Sequence, residues 1–326
     1  MPDLYVDTRL TGQHGIGRYA TEVISRLPPG FKRLDRGRPN SQTDVVNLQR
    51  LGLPRDALLY SPGYRTGFSR CPRLLTVMDL IHLHPSTQAP RHVVTYYERL
   101  IKPTIRRLGH VMTISQTSAD ALADWLDDDR VTIHDAGLGC SPVFSPEGPV
   151  HQRPRPYVLC VSNMKPHKNV ATLMRAMADV PDTDLVLVTP DRDETLAAAS
   201  ELGIADRCVQ IGGVSDEELA SIYRGAALLA YPSLVEGFGL PALEASNCGR
   251  PVIYAAECRS VVELLDGHGL AVPAATDPAA WTDAVTSALE SPPPVFVDGP
   301  ARYNWDSTAD AVRAAIEMVM EGLSDG

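Results

Sequence analysis

Short apolar runs alternate with segments whose apolar residues recur at helical spacing, and the two patterns trade places along most of the chain. A short apolar run bounded by polar, Gly or Pro positions reads as a buried strand. Apolar residues three and four apart read as one face of a helix. In the first half the strand candidates are Leu4-Tyr5-Val6, Val45-Val46-Asn47-Leu48, Ala57-Leu58-Leu59-Tyr60, residues 74–82, residues 111–115 and Val131-Thr132-Ile133. Between them the pattern predicts a helix through Tyr19, Val23, Ile24 and Leu27 that Pro28-Pro29 stops. It also predicts a helix over 95–108 kinked at Pro103, and a helix over 119–125 capped by Ser118.

The second half opens on the run 157–162, followed by a helix carrying Val170, Leu173, Met174 and Met177. Strands follow at Leu185-Val186-Leu187-Val188, around Val209-Gln210-Ile211, at 226–230 and at Pro251-Val252-Ile253-Tyr254. Ser215-Asp216-Glu217-Glu218 has the form of a capping box, and a helix entered near Pro241 ends at Gly249. A last helix spans 309–320. Strands alternating with helices predict an α/β protein with mainly parallel sheets. The stretch 139–156, with Pro142, Pro146, Gly148, Pro149, Pro154 and Pro156, reads as a linker between domains at 1–149 and 150–306.

Composition narrows the class. A chain of 326 residues with 44% apolar and 21% charged residues suits two ordinary soluble domains. Without a long apolar run, or a basic start leading into one, neither a transmembrane helix nor a signal peptide is expected, which implies a cytoplasmic protein. Six cysteines without a CxxC pair read as small buried hydrophobes. The net charge of −10 argues against nucleic-acid binding and is uneven: residues 1–150 carry 18 Lys and Arg against 15 Asp and Glu, residues 151–326 carry 12 against 25. Arg99, Lys102, Arg106 and Arg107 make a basic helix face, read first as solvated and alternatively as contact with an anionic membrane or a charged acceptor.

Three stretches carry candidate chemistry. In Glu236-Gly237-Phe238-Gly239-Leu240-Pro241, two glycines give a close-approach turn at a helix start, where the N–H groups of Phe238, Gly239 and Leu240 form an anion site. Glu236 lies on the loop and Glu244 within the helix; repelled by phosphate, both suit hydroxyls. Taken alone, Glu236 reads equally as a solvated loop residue and Glu244 as a partner of the helix dipole. Lys168, in Lys165-Pro166-His167-Lys168-Asn169, stands at a helix N-terminus, an unfavourable place for a cation unless an anion sits between. Gly12, Gly15 and Gly17 lie between the first strand and the first helix. Their Gly-x2-Gly-x-Gly spacing departs from the dinucleotide fingerprint GxGxxG, and no acidic ribose partner follows. Asp182-Thr183-Asp184 and Asp191-Arg192-Asp193 have a D-x-D form and read as surface turns.

Glu236 and Glu244 around Gly-Phe-Gly-Leu-Pro, followed by Cys248-Gly249-Arg250-Pro251-Val252-Ile253, resemble the E-x7-E signature of retaining nucleotide-sugar glycosyltransferases of the GT-B fold, glycosyltransferase family 4. Gly12 to Tyr19 is similar to that family's G-G-I-G-R-Y loop, with His14 in place of an adjacent glycine. Pro166 to Asn169 is similar to P-R-K-N with His167 for Arg, and Asn163, after Ser162, falls where some members carry a second Arg. Gly212 to Leu219 is similar to G-x-V-S-D-E-E-L, where the base is received around Val214. Met78 stands where the family often has a cleft His, with Asp79 retained and His82 further on.

The resemblance implies two Rossmann-like domains facing a cleft, with the last helix, 307–326, packing back on the first. It implies retaining transfer from a nucleotide diphosphate sugar (UDP, GDP or dTDP type) to a carbohydrate or natural-product acceptor. No metal or other cofactor is implied. Lys168 and the helix start would hold the diphosphate, Glu236 the sugar and Glu244 the ribose. Gly15, Gly17, Ser162, Asn163, Val214 and Gly237 would line the donor site, and Asp79 and His82 the acceptor side. An epimerase or phosphorylase on the same fold, or a non-catalytic sugar-nucleotide binder, are the alternatives.

Overall fold

The computed structural model describes residues 2–10, 12, 15–35, 52–84, 87 and 89–324, so the strand expected at Val45-Val46-Asn47-Leu48 lies outside the described residues. The chain divides into two compact units, Met1–Gly139 with Tyr303–Gly326, and Cys140–Arg302.

In the first unit, β1 (Leu4–Asp7), β2 (Lys32–Leu34), β3 (Leu58–Ser61) and β4 (Arg73–Leu75) form a parallel sheet in the order β2-β1-β3-β4. A parallel bridge from Thr76 to Met112 leads on to the pair β5 (His110–Thr113) and β6 (Thr132–Asp135). β3 and β4 are buried along their whole length, which is why Leu58-Leu59-Tyr60 and Leu74-Leu75 read as continuous apolar runs rather than alternating ones. The helix α1 (Gly15–Arg26) begins four residues before Tyr19 and takes Gly15 and Gly17 into its first turn.

Three expectations in this unit shift. The strand over 74–82 stops at Leu75, because Asp79 Oδ1 accepts the Ile81 N–H at 3.0 Å and bends the chain into a single 3₁₀ turn at Ile81–Leu83. The helix over 95–108 starts earlier, as α2 (Arg91–Tyr96), and passes through a π turn (Tyr97–Ile101) into α3 (Lys102–Leu108). Pro103 has no N–H to bond the Arg99 carbonyl, and the helix widens just before it. The cap of α4 (Gln116–Leu126) is Ser115, whose hydroxyl accepts the Ser118 N–H at 3.0 Å, and not Ser118 itself. Leu75, Val77, Ile101, Ile105, Val111, Leu122 and Leu126 close the core on this side.

On β5 and β6 the rings of His110 and His134 stack with centroids 5.3 Å apart, and Nδ1 of one lies 3.0 Å from Nε2 of the other. Burial lowers both pKa values below the ordinary 6.5, and His110 lowers that of His134 further. The folded protein therefore holds the pair neutral, whereas the unfolded chain takes up protons as pH falls through about 6.5. Stability is complete above that pH and declines below it. We expect the urea midpoint of the wild type to fall from pH 7.5 to pH 5.5, by more than that of His134→Gln.

In the second unit, β7 (Tyr157–Val161), β8 (Asp184–Val188), β9 (Cys208–Ile211), β10 (Leu228–Tyr231), β11 (Val252–Ala255) and β12 (Leu270–Val272) form one parallel sheet in the order β12-β11-β10-β7-β8-β9. Connections run outward from β7 in one direction and from β10 in the other, so the order reverses between these two neighbours. In open parallel sheets a crevice forms at the carboxyl ends of the strands at such a point. The helices are α5 (Val170–Ala178), α6 (Arg192–Glu201), α7 (Asp216–Gly225), α8 (Leu240–Asn247), α9 (Arg259–Leu265), α10 (Pro278–Glu290) and α11 (Gly299–Arg302). The capping box on α7 is complete, with Ser215 Oγ accepting from the Glu218 N–H and Glu218 Oε2 from the Ser215 N–H.

The expected linker is a strap on this unit, which begins at Cys140 rather than 150. Phe144 is buried edge-on against Tyr223, and the Arg224 guanidinium donates to the carbonyls of Val143, Ser145 and Pro149. Asp184 is likewise no surface turn. It is buried at the start of β8, where it accepts from Arg153 Nη2 at 2.7 Å and Nε at 2.9 Å.

The chain returns to the first unit with α12 (Trp305–Ser324), whose buried Trp305, Ala309, Val312, Ile316 and Val319 recur at helical spacing and pack it on α1. Asn304 Oδ1 caps its start by accepting the Ser307 N–H, and Arg26 Nε donates to Asp306 at 2.7 Å.

Candidate active site

The two loops leaving β7 and β10 meet at the carboxyl edge of the second sheet. After β7, Asn163 Oδ1 accepts the Lys165 N–H and Asp191 Oδ2 accepts the Met164 N–H, which shapes the turn. Pro166–Lys168 makes one 3₁₀ turn, and Asn169, in the left-handed region at φ 55°, ends it. Asn169 holds that conformation through bonds from its amide to the Ala275 carbonyl at 2.6 Å and from the Thr172 hydroxyl to its Oδ1 at 2.6 Å. The loop after β10 is tied to this turn by the Leu234 N–H, which donates to the His167 carbonyl at 2.9 Å.

Lys168 and Glu236 are brought together by this tie. Lys168 Nζ donates to Glu236 Oε1 at 2.6 Å and to Oε2 at 2.8 Å, with side chains 18% and 11% exposed. The Glu236 carboxylate acts on two buried groups nearby. Burial raises the pKa of the Tyr231 phenol well above its usual value, and the Glu236 charge adds to this. The same carboxylate contributes to holding the buried Cys258 thiol up at about 12. Neither Tyr231 nor Cys258 bears a motif signal, although the last residue of a strand that points at the site, as Tyr231 is, could have been singled out by position alone.

Beyond Glu236 the chain enters α8 through Gly239, which is its N-cap at φ 111°. A Cβ at Gly239 would lie 2.7 Å from Val261 Cγ2. The glycine thus answers to backbone conformation and to packing against α9, where the sequence suggested ligand approach. Phe238 is buried, and Leu240 and Pro241 form the first turn. Glu244 turns into the interior of the unit, 4% exposed, and its Oε2 accepts from the Tyr223 hydroxyl at 2.9 Å. The Tyr223 phenol has its pKa raised well above 10 by burial and then by the adjacent carboxylate. Tyr223→Phe should lower the stability of the protein by about 1–3 kcal/mol, because a buried carboxylate loses a donor; urea unfolding measures the difference.

The remaining candidates are placed as follows. Ser162 follows β7, with its N–H on the Val188 carbonyl and its hydroxyl on the Asn163 carbonyl. Val214 is half-buried in the turn after β9, where Gly213 takes φ 68°. In the first unit, Gly15 takes φ 56° at the start of α1, and Gly17 accepts the Thr21 hydroxyl at its carbonyl. Asp79 and His82 lie just beyond β4, Asp79 in the turn described above and exposed His82 with its ring 6.3 Å from that of Tyr97. Met78 is buried. Among the described residues no group of three His, Cys, Asp or Glu is placed to hold a metal ion, and no helix is long and apolar enough to cross a membrane.

These sheets and loops define an α/β protein of the GT-B class. Over its full length the fold matches sucrose-phosphate synthase from Thermosynechococcus elongatus (TM-score 0.68, 18% identity, covering 100% of this chain and 98% of that one). It also matches WaaG, a glycosyltransferase involved in lipopolysaccharide biosynthesis (TM-score 0.66, 15% identity, 99% and 100% covered). The chain belongs to the glycosyl transferases group 1 family, which matches it over residues 145–312. Among curated relatives, the D-inositol 3-phosphate glycosyltransferase of Mycolicibacterium smegmatis is 32% identical over 174 residues, 50% of this chain and 40% of the relative. That of Mycolicibacterium gilvum is 34% identical over 168 residues, 48% and 38% of the two chains. The match thus spans about 40% of these relatives' length.

Proposed function

We propose that the protein transfers a glycosyl group from a nucleotide diphosphate sugar to an acceptor hydroxyl, with retention at the anomeric carbon and without a metal ion. The observation that carries this reading is the Lys168–Glu236 pair at the point where the order of the second sheet reverses, beside the start of α8. A cation and a helix N-terminus at one spot are suited to a diphosphate whose charge grows as the glycosidic bond breaks, and they supply positive charge without a metal. A carboxylate held next to the cation is suited to the sugar hydroxyls. Glu244, fixed through Tyr223, takes the ribose diol, and the turn around Val214 takes the base. Ser162 and Asn163 complete the donor side. Asp79 and His82 serve the acceptor, a carbohydrate or natural product. The solved structure of Anabaena Alr3699/HepE with UDP-glucose shares this fold (TM-score 0.64, 16% identity, both chains fully covered) and supports a UDP-type donor.

The test is calorimetric titration of UDP, GDP, ADP and dTDP with and without magnesium, followed by NMR of the product's anomeric configuration. One nucleotide should bind equally in both conditions and the donor configuration should be kept. A folded sample that binds none of them, or a product of inverted configuration, would sink the proposal.

A further inference from the structure

In the first unit, arginines gather at the end of the sheet opposite its own carboxyl edge. Arg55 precedes β3, and Arg70 and Arg73 lie before and at the start of β4, so all three stand at the amino ends of the strands. Arg99 from the π turn and Arg107 from α3 complete the lining of a cavity of about 540 Å³. Among the described residues no Asp or Glu lines it.

The basic helix face seen in the sequence divides here. Lys102 pairs with Glu98 and lies over the Trp125 ring, and Arg106 donates to the carbonyls of Leu126 and Asp127 beside Asp128. Arg99 and Arg107 face the cavity instead, and no carboxylate bridges to them among the described residues. At the floor is Arg73, 5% exposed, whose Nη1 donates to the Gly67 carbonyl and whose buried Nε has no hydrogen-bond partner among the described residues. Burial, and then the charge of Arg107, bring its pKa down to about 10. Buried guanidinium N–H groups are ordinarily satisfied, and like charges ordinarily lie apart or interleave with carboxylates. Phe68, 55% exposed, stands at the rim.

We propose that this cavity binds a phosphate-bearing anion, seated on Arg73 and enclosed by Arg70, Arg99 and Arg107. A phosphate group offers acceptors in the fork geometry a guanidinium presents, and its charge relieves the repulsion among the arginines. An exposed aromatic at the mouth suits a ligand with an apolar portion beyond its phosphate. A soluble phosphate ester and a lipid headgroup share this chemistry.

The experiment uses the full chain. Inorganic pyrophosphate is titrated into the wild type, Arg99→Glu/Arg107→Glu, Arg73→Met and Lys168→Ala, and the same proteins are floated with phosphatidylcholine vesicles with and without phosphatidylglycerol. The double rim variant leaves the buried floor intact, so it tests the site even where Arg73→Met fails to fold. Pyrophosphate binding should weaken by about 10- to 100-fold in the rim variant, and a binding event of wild-type affinity should persist in Lys168→Ala. Flotation with phosphatidylglycerol that the rim variant loses assigns the anion to a headgroup; pyrophosphate binding without flotation assigns it to a soluble ester. Binding that Lys168→Ala alone abolishes, or the absence of binding to either probe, overturns the proposal.

Discussion

Replacing Lys168 with Ala is expected to lower kcat/KM for sugar transfer by about 100- to 1,000-fold, the usual effect of removing one preorganised charge from a developing anion. The same substitution also strands Glu236, a carboxylate only 11% exposed whose bond partners include the Lys168 ammonium. Removing one member of a buried pair costs about 3–5 kcal/mol, reduced here because both side chains keep some contact with water. Activity and stability would then fall together, and a loss of activity alone would say little about the role of Lys168. The double variant Lys168→Ala/Glu236→Gln, read against Glu236→Gln alone, separates them. Without a stranded charge, its urea midpoint should return toward that of the wild type while its activity stays low. Recovery of both would mean that Lys168 only supports the loop. Salt is a second control, since a mobile ammonium acting on a diphosphate loses effect as ionic strength rises.

Gly239→Ala is expected to destabilise the protein by about 2–5 kcal/mol and to abolish donor binding with it. Two independent effects combine. The backbone at φ 111° is a region where a Cβ is strained, and that Cβ would sit 2.7 Å from Val261. Val261→Ala in the same chain removes the second effect and leaves the first, so the double variant should recover part of the lost stability. Thermal unfolding followed by circular dichroism measures both. A Gly239→Ala protein of wild-type stability that had lost only donor affinity would instead show that the glycine serves close approach of a ligand, as its place in the motif suggested.

The sequence made the α/β class legible because buried parallel strands are short, apolar and punctuated, and because Pro241, Gly249 and the Ser215 capping box mark helix ends through chemistry confined to a few residues. It was less informative wherever the deciding partner is distant. The apolar run 74–82 looks like one strand, yet Asp79 bends it by a bond two residues away, and its ladder partner Met112 belongs to another strand. Pro and Gly in 139–156 announced a linker, while Arg224, 75 to 81 residues beyond the carbonyls it bonds, binds that stretch to the second unit. At the site, Glu236 and Lys168 were both legible from motif and helix-end chemistry, but their pairing was not, because it depends on β7 and β10 being neighbours. The cavity arginines were half visible: Arg99 and Arg107 share a helical face, but Arg55, Arg70 and Arg73 join them only through the strand order.

The return of α12 to the first unit has a consequence for the order in which the chain can fold. Cys140–Arg302 is continuous, so its sheet has every strand available once that stretch has left the ribosome. The first unit does not. Its earliest residues must hold the apolar side of α1 uncovered until the segment from Tyr303 onward has been made, and only then can Val312, Ile316 and Val319 cover it. Closing that separation carries a chain-entropy penalty that grows slowly with length, and contacts so far apart in sequence form late. The half of the protein that is synthesised first is therefore the half completed last, and during that interval its uncovered helix is the surface at which chaperones or aggregation would compete.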